Sequence, residues 1–326
     1  MQQQTSPRSG LAPVAGALAL LLVLTACGGG PAEEADGASG GETVTVETDY
    51  GPVDIPADPQ RIVALEFGTE AVLEAGIEPV GVIEPVSTLY TAEELDRLAD
   101  YPVVQSASLE INLEAIAEAR PDLIIGGVRV ESHDEYAATR EDLEQIAPTV
   151  FYDFDGAGAG LRDMTLELSR AIGDGERAEA EQERFEARVE EIRDSYADQL
   201  ADTTFAVVFG LDGEFAVVNT NAWGGEILDT LGARQSGARE AAGENFAAFY
   251  SYEELDQLFD ADVVFYETDA QGQPDPFTEA LLDQDLWQDL PAVEAGQAHP
   301  LRYSAARTYG QANTVLDQIE EVLAGL

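Results

Sequence analysis

From residue 43 onward, short apolar runs alternate with amphipathic stretches. Thr43–Thr48 and Val53–Ile55 flank Asp49-Tyr50-Gly51-Pro52 and predict a small hairpin. Strands are predicted over Arg61–Leu65, Pro79–Ile83, a short Val103-Val104 run, Leu123–Ile125 and Thr149–Phe154. Between them lie helical patterns over Thr69–Ala75, Ala92–Ala99, Leu113–Ala119 and Glu135–Ile146. Strand–helix alternation with short links predicts a mostly parallel sheet covered on both faces.

Leu161 to Leu200 differs. Leu166, Ile172, Ala178, Phe185, Val189, Ile192 and Tyr196 lie among Glu and Arg, interrupted only at Gly173-Asp174-Gly175. This predicts one helix broken once, or two in tandem, a rigid strut between two α/β halves. The second half repeats the alternation, with strands at Phe205–Phe209, Phe215–Val218 and Val263–Tyr266. Helices are predicted over Gly224–Leu231, Tyr252–Leu258 and Thr314–Leu323, with short helical pieces at Glu279–Leu282 and Trp287–Leu290. The stretch from Asn112 also parallels that from Ser251: a capping residue, a two-turn helix, a short turn and a buried strand. The expected organisation is a lobe over 43–158, a connecting helix over 159–201 and a second lobe over 202–326.

The N-terminus is of another kind. Residues 1–9 are polar and carry Arg8, and Gly10–Val23 is almost wholly apolar but short for a spanning helix. It ends in Leu24-Thr25-Ala26-Cys27, small residues before a cysteine, which is the bacterial lipoprotein pattern. We expect a signal peptide over 1–26, lipidation of Cys27 and a Gly/Ala/Glu-rich tether over 27–42. Acyl chains on Cys27 then hold the exported protein on the outer face of the cytoplasmic membrane.

Sixteen Arg and no Lys stand against 64 Asp and Glu, a net charge of −48. A chain this acidic repels nucleic-acid phosphates and anionic lipid. One Cys excludes a disulfide framework, and two His exclude a His-rich zinc cage. Catalytic motifs also fail. Gly37-Ala-Ser39-Gly-Gly41 lies in the tether without a flanking strand or helix. Gly156-Ala-Gly158-Ala-Gly160 has Leu161 where a dinucleotide fingerprint needs a small residue, and suits a hinge at the strut's entry. His133 and His299 have no nucleophile or acid at a recognisable spacing. No enzyme is expected.

Five stretches in order carry a resemblance: Pro59–Leu65 (PQRIVAL), Leu73–Val82 (LEAGIEPVGV), Asn112–Gly126 (NLEAIAEARPDLIIG), Trp223–Gly232 (WGGEILDTLG) and Leu286–Gly296 (LWQDLPAVEAG). With the lipoprotein signal and the strut, the chain resembles the substrate-binding lipoproteins of ABC importers for ferric siderophores, haem and cobalamin. The resemblance implies an α/β fold of two Rossmann-like lobes joined by a long rigid helix, with the ligand cleft between the lobes. It also implies a monomer that delivers a ferric siderophore to a dimeric permease with its ATPase subunits. One Glu per lobe, Glu114 and Glu253, would dock on that permease, although helix-dipole stabilisation and a Ser251–Glu254 capping box would also account for acids there. Haem and cobalamin are the alternatives within this class. A secreted enzyme or adhesion module on a two-lobed scaffold is the alternative outside it.

Ligands of open α/β sheets sit at the carboxyl ends of strands. That rule selects Phe67, Tyr90, Arg129 and His133 in the first lobe, and Trp223, Arg302, Tyr303 and Arg307 in the second, the last three after an expected His299-Pro300 turn. Guanidinium forks suit chelate oxygens and rings suit apolar linkers. Arg129 equally suits a surface cation, and Trp223 a helix–sheet core. The iron would be held by the siderophore, with no metal ligand or cofactor from the protein. The charge of −48 favours a neutral or cationic complex, such as a hydroxamate, although charge beyond about 8–10 Å is screened.

Overall fold

A computed structural model describes residues 42–86, 89–156 and 158–326. The expected signal peptide, Cys27 and all but the last tether residue lie outside the described residues.

The first lobe opens with a hairpin of β1 (Thr43–Thr48) and β2 (Gly51–Pro56). Then follow β3 (Ile62–Ala64), α1 (Gly68–Glu74), β4 (Gly81–Ile83), α2 (Ala92–Leu98) and β5 (Val103–Gln105). It closes with α3 (Leu113–Ala119), β6 (Leu123–Arg129), α4 (His133–Glu144) and β7 (Thr149–Phe154). The five sheet strands run parallel in the order β5-β4-β3-β6-β7. Side chains alternate across the sheet, as strand geometry requires. Ile62 and Ala64 face a core shared with α1, whereas Val63 and Leu65 face one shared with α3 and α4.

The central segment is α5 (Ala159–Ala171), α6 (Gly175–Ser195) and α7 (Ala197–Asp202). One break falls where expected, at Gly173, whose φ of 84° is left-handed; a second, unexpected one at Tyr196 separates α6 from α7. It is not a free-standing strut. Leu161, Met164, Leu168 and Ala171 of α5 pack into the first lobe's core, and Phe185, Val189 and Ile192 of α6 pack into the second's.

The second lobe contains β8 (Thr204–Gly210), β9 (Glu214–Val218), α8 (Trp223–Thr230), β10 (Arg234–Gln235) and β11 (Ala247–Ser251). It continues with a 3₁₀ helix over Tyr252–Leu258, β12 (Val263–Thr268), α9 (Pro276–Leu282), α10 (Asp285–Gln288) and α11 (Pro291–Glu294). It ends with β13 (Ala298–Arg302) and α12 (Tyr309–Leu323). The main order is β11-β9-β8-β12-β13, with β10 on the start of β8. Unlike the first sheet it is mixed, because β8 turns straight back into β9. Asp212-Gly213 makes that two-residue hairpin turn, with Gly213 at φ 78°. His299-Pro300 is not a turn; it lies within β13, an edge strand whose outer side tolerates a residue without an N–H.

Arg162 ties the lobes together. Its side chain is 2% exposed and donates to Glu226 of α8 at 2.8 Å, with its guanidinium over the rings of Phe185 (5.3 Å) and Tyr309 (5.6 Å). Gly158 permits this approach, since a Cβ there would fall 2.8 Å from the Glu226 side chain. Removing one partner of such a pair strands a buried charge. Glu226→Ala is therefore expected to destabilise the protein by about 3 kcal/mol in denaturant unfolding. A loss below about 0.5 kcal/mol would mean that the pair does not hold the lobes.

Candidate functional site

The floor of the site forms where β3 passes into α1. Phe67 takes a left-handed φ of 62° and Gly68 follows it tightly, since a Cβ at Gly68 would sit 2.9 Å from the Ile125 carbonyl oxygen. The Phe67 ring is buried edge-on to Phe154, at 4.8 Å. Arg307 of the second lobe stands 4.7 Å above Phe67, and Arg129, at the end of β6, stands 5.1 Å above Phe154 and 6.0 Å from Phe67. Two cations from two lobes thus share one aromatic floor.

The two guanidinium groups differ. Arg307 is fixed by the buried Glu70 at 2.9 Å, and Glu70 also accepts from the Tyr90 hydroxyl at 3.0 Å. Arg129 is exposed and has no ion pair or hydrogen bond among the described residues, so its donors are available. Glu66 lies at the end of β3; burial raises its carboxyl, and Arg307 and Arg129 pull it back.

The second lobe repeats the device. Trp223 opens α8 at φ 46°, followed by Gly224-Gly225; a Cβ on Gly225 would fall 2.3 Å from the Asn219 carbonyl oxygen. Its half-buried ring rests between Phe209 (5.5 Å) and Phe246 (5.3 Å). Tyr303, at φ 56°, lines a 170 Å³ groove between the lobes with Glu70, Glu74, Tyr90 and Glu94.

The sequence-selected residues therefore divide. Phe67, Arg129 and Arg307 meet in one cluster, with Tyr90 behind it as a support for Glu70. Trp223 stands in its own aromatic cluster. Arg302 ends β13 and lines a groove towards α12 with Gln318 and Glu321. His133 lies elsewhere, stacked 4.5 Å from Tyr50 of the hairpin with its Nδ1 on Asp153. Glu114 and Glu253 are exposed in the first turns of their helices and make no ion pair among the described residues. Asn112 caps the first helix at 3.0 Å, and the Ser251 N–H and hydroxyl both donate to Glu254 Oε2, at 3.1 and 2.9 Å. Glu66, Glu70, Phe154, Phe209 and Phe246 were missed by the sequence reading. Glu66 had a usable signal, lying directly past a strand end; the rings are placed by long-range packing.

A separate pocket of 160 Å³ lies at the carboxyl ends of β8 and β12. Burial is the main cause that pushes its Glu267 carboxyl up to about 7; the Ser304 hydroxyl opposes the rise and the nearby charge of Asp275 adds to it. A group raised on folding contributes stability that is full below its unfolded value and is lost as pH rises through its folded value.

Residues 62–301 match the protein-family profile described as periplasmic binding protein. The chain is 33% identical over 317 residues to the probable siderophore-binding lipoprotein YfiY of Bacillus subtilis (strain 168), covering 93% of this chain and 94% of that one. It is 84% identical to the siderophore periplasmic binding protein from the fuscachelin gene cluster of Thermobifida fusca, whose structure superposes with a TM-score of 0.82 over 83% of this chain and 98% of that one. Staphylococcus aureus SirA, solved with staphyloferrin B, shares the fold at 22% identity and a TM-score of 0.65, over 86% of this chain and 99% of SirA.

Glu267→Gln mimics the protonated form, so it should stabilise the protein by on the order of 2 kcal/mol near pH 8.5 and much less near pH 5.5. Thermal or urea unfolding at the two pH values tests this. An equal difference at both would remove the titration from the explanation.

Proposed function

The chain belongs to the periplasmic binding protein family, and from that footing we propose that it captures a ferric siderophore outside the cytoplasmic membrane and hands it to an ABC permease. The carrying observation is Arg129, with no ion pair among the described residues, beside the fixed Arg307 over the Phe67–Phe154 floor. Guanidinium forks bind chelate oxygens, and the Trp223–Phe209–Phe246 cluster offers apolar cover to linkers. The iron travels as cargo inside the chelate. The names of the Bacillus and Thermobifida relatives support the same class of ligand. Within it we favour a complex of low negative charge, such as a hydroxamate, on account of the acidity of the chain. The protein binds its substrate and does not convert it.

Trp287 is buried against Tyr266 beneath the second sheet, which leaves Trp223 as the tryptophan reporting on the cleft. A panel of hydroxamate, catecholate and citrate-type ferric complexes, with haemin and cobalamin, should show one siderophore class quenching fluorescence saturably at about 1 μM or below. Arg129→Ala should weaken that binding by about 10-fold or more. Saturation by haemin or cobalamin alone would sink the siderophore reading and leave the transport role standing.

The permease surface is proposed to carry Glu114 and Glu253, one exposed acid per lobe. Two equivalent permease subunits need two matching acids, and such rim charges set register more than affinity. The double variant Glu114→Ala/Glu253→Ala should bind chelate normally and lose most uptake or transporter-dependent ATP hydrolysis. Normal uptake would refute the docking role.

Anchoring is proposed to run through Cys27. In Cys27→Ser the protein should stay unprocessed or be shed, and partitioning with membranes at the mature mass would contradict the anchor.

A further inference from the structure

We propose that the pocket at the carboxyl ends of β8 and β12 is a subsite for a cationic arm of the chelate, a guanidinium or primary ammonium group. This rests on the siderophore reading above and narrows the ligand within it.

The pocket holds 160 Å³, and its walls include Glu267, Asp269, Asp275, Thr268, Phe209 and Phe277. None of the three carboxylates belongs to an ion pair among the described residues. Asp269 Oδ1 accepts from the backbone N–H groups of Gln271 (2.9 Å) and Gln273 (2.8 Å), and Asp275 Oδ1 caps α9 through the Thr278 N–H at 2.7 Å. Their Oδ2 atoms have no such partner among the described residues. Thr268 adds an independent sign of a missing ligand: it is 4% exposed, and its buried Oγ1 has no hydrogen-bond partner among the described residues. A desolvated acid without a counter-charge and a buried hydroxyl without a partner are both costly, and an entering N–H cation relieves both.

The chemistry selects an organic cation over a metal ion. Among the described residues, no three His, Cys, Asp or Glu side chains converge closely enough to hold a metal. Carboxylates spread around a pocket suit a delocalised or multi-donor cation instead. Phe277, 47% exposed at the wall, offers a ring face to such a group.

The pocket also adjoins the cleft. Phe209 touches Trp223 at 5.5 Å, and Gln271, in the loop after β12, donates to the Tyr90 carbonyl of the other lobe at 3.0 Å. The cleft is thus polarised, with guanidinium groups over the first lobe's floor and carboxylates in the second lobe's wall. A chelate that presents oxygens at one side and a positive arm at the other matches both.

The test uses the tightest-binding chelate of the fluorescence panel, with ferrioxamine B included, against the same chelate with its basic nitrogen acetylated. Acetylation should weaken binding to the parent protein by about 10-fold, and the ratio between the two forms should fall towards one in Glu267→Gln and in Asp275→Asn. Both replacements keep the side-chain shape, and the Asn retains a capping oxygen, so unfolding curves should show intact proteins. The proposal is overturned if the tightest chelate has no basic nitrogen, if the parent protein binds both forms equally, or if the variants weaken both forms alike. Chelate binding that is indifferent to acetylation removes the subsite alone. Binding of no siderophore at all removes the underlying reading with it.

Discussion

The site depends on a fixed relation between the lobes, and the Arg162–Glu226 pair is the contact that sets it. A buried ion pair adds little net stability, because desolvation offsets its attraction. Its effect is positional: either charge left alone costs more than the pair gains, so states that separate the lobes are disfavoured. The guanidinium is further held between Phe185 and Tyr309. Arg307–Glu70 makes a second link beside the cleft, and Arg177–Glu74 a third at 3.1 Å. Without these, Arg307 would not stand over a ring that belongs to the other lobe.

Among the described residues, three of the five non-glycine residues with left-handed φ lie where the ligand is expected. Phe67, Trp223 and Tyr303 all adopt left-handed φ values, a conformation that bulky residues avoid. The cost, about 1–3 kcal/mol each, persists only where the surrounding structure offsets it. For Phe67 and Trp223 the next residue is a glycine whose Cβ position is already occupied by backbone or side-chain atoms. Two lobes with different sheet topologies therefore arrive at one local solution: a strained aromatic at a strand's end, then glycine, then helix.

Net charge and local field act on different scales. The total of −48 is spread over a surface screened within about 8–10 Å. Around the cleft, nearby groups decide: two guanidinium groups over aromatic rings on one side and, in the adjoining pocket, three acids with no ion pair among the described residues. The same desolvation that lifts Glu267 to about 7 makes that wall receptive to positive charge.

Much of the architecture was legible from local pattern. The β1 strand, α3 and β7 fall at the residues their periodicity predicts, and the helix break at Gly173 and the Ser251–Glu254 pairing follow from short-range chemistry. Asp212-Gly213 carried a readable hairpin signal as well, though the alternation alone suggested a second parallel sheet. What the sequence could not determine depended on distant partners. Pro300 sits in β13 only because β12 leaves it an edge, and the segment after Ser251 winds as 3₁₀ although its pattern is helical. Arg129 ends the strand that His133 follows, yet Tyr50 and Asp153 draw the histidine under the hairpin while Phe154 takes the arginine. Periodicity reports which face a residue turns to its own element. Which charges meet across a cleft is set by lobe packing, where contacts far apart in sequence decide.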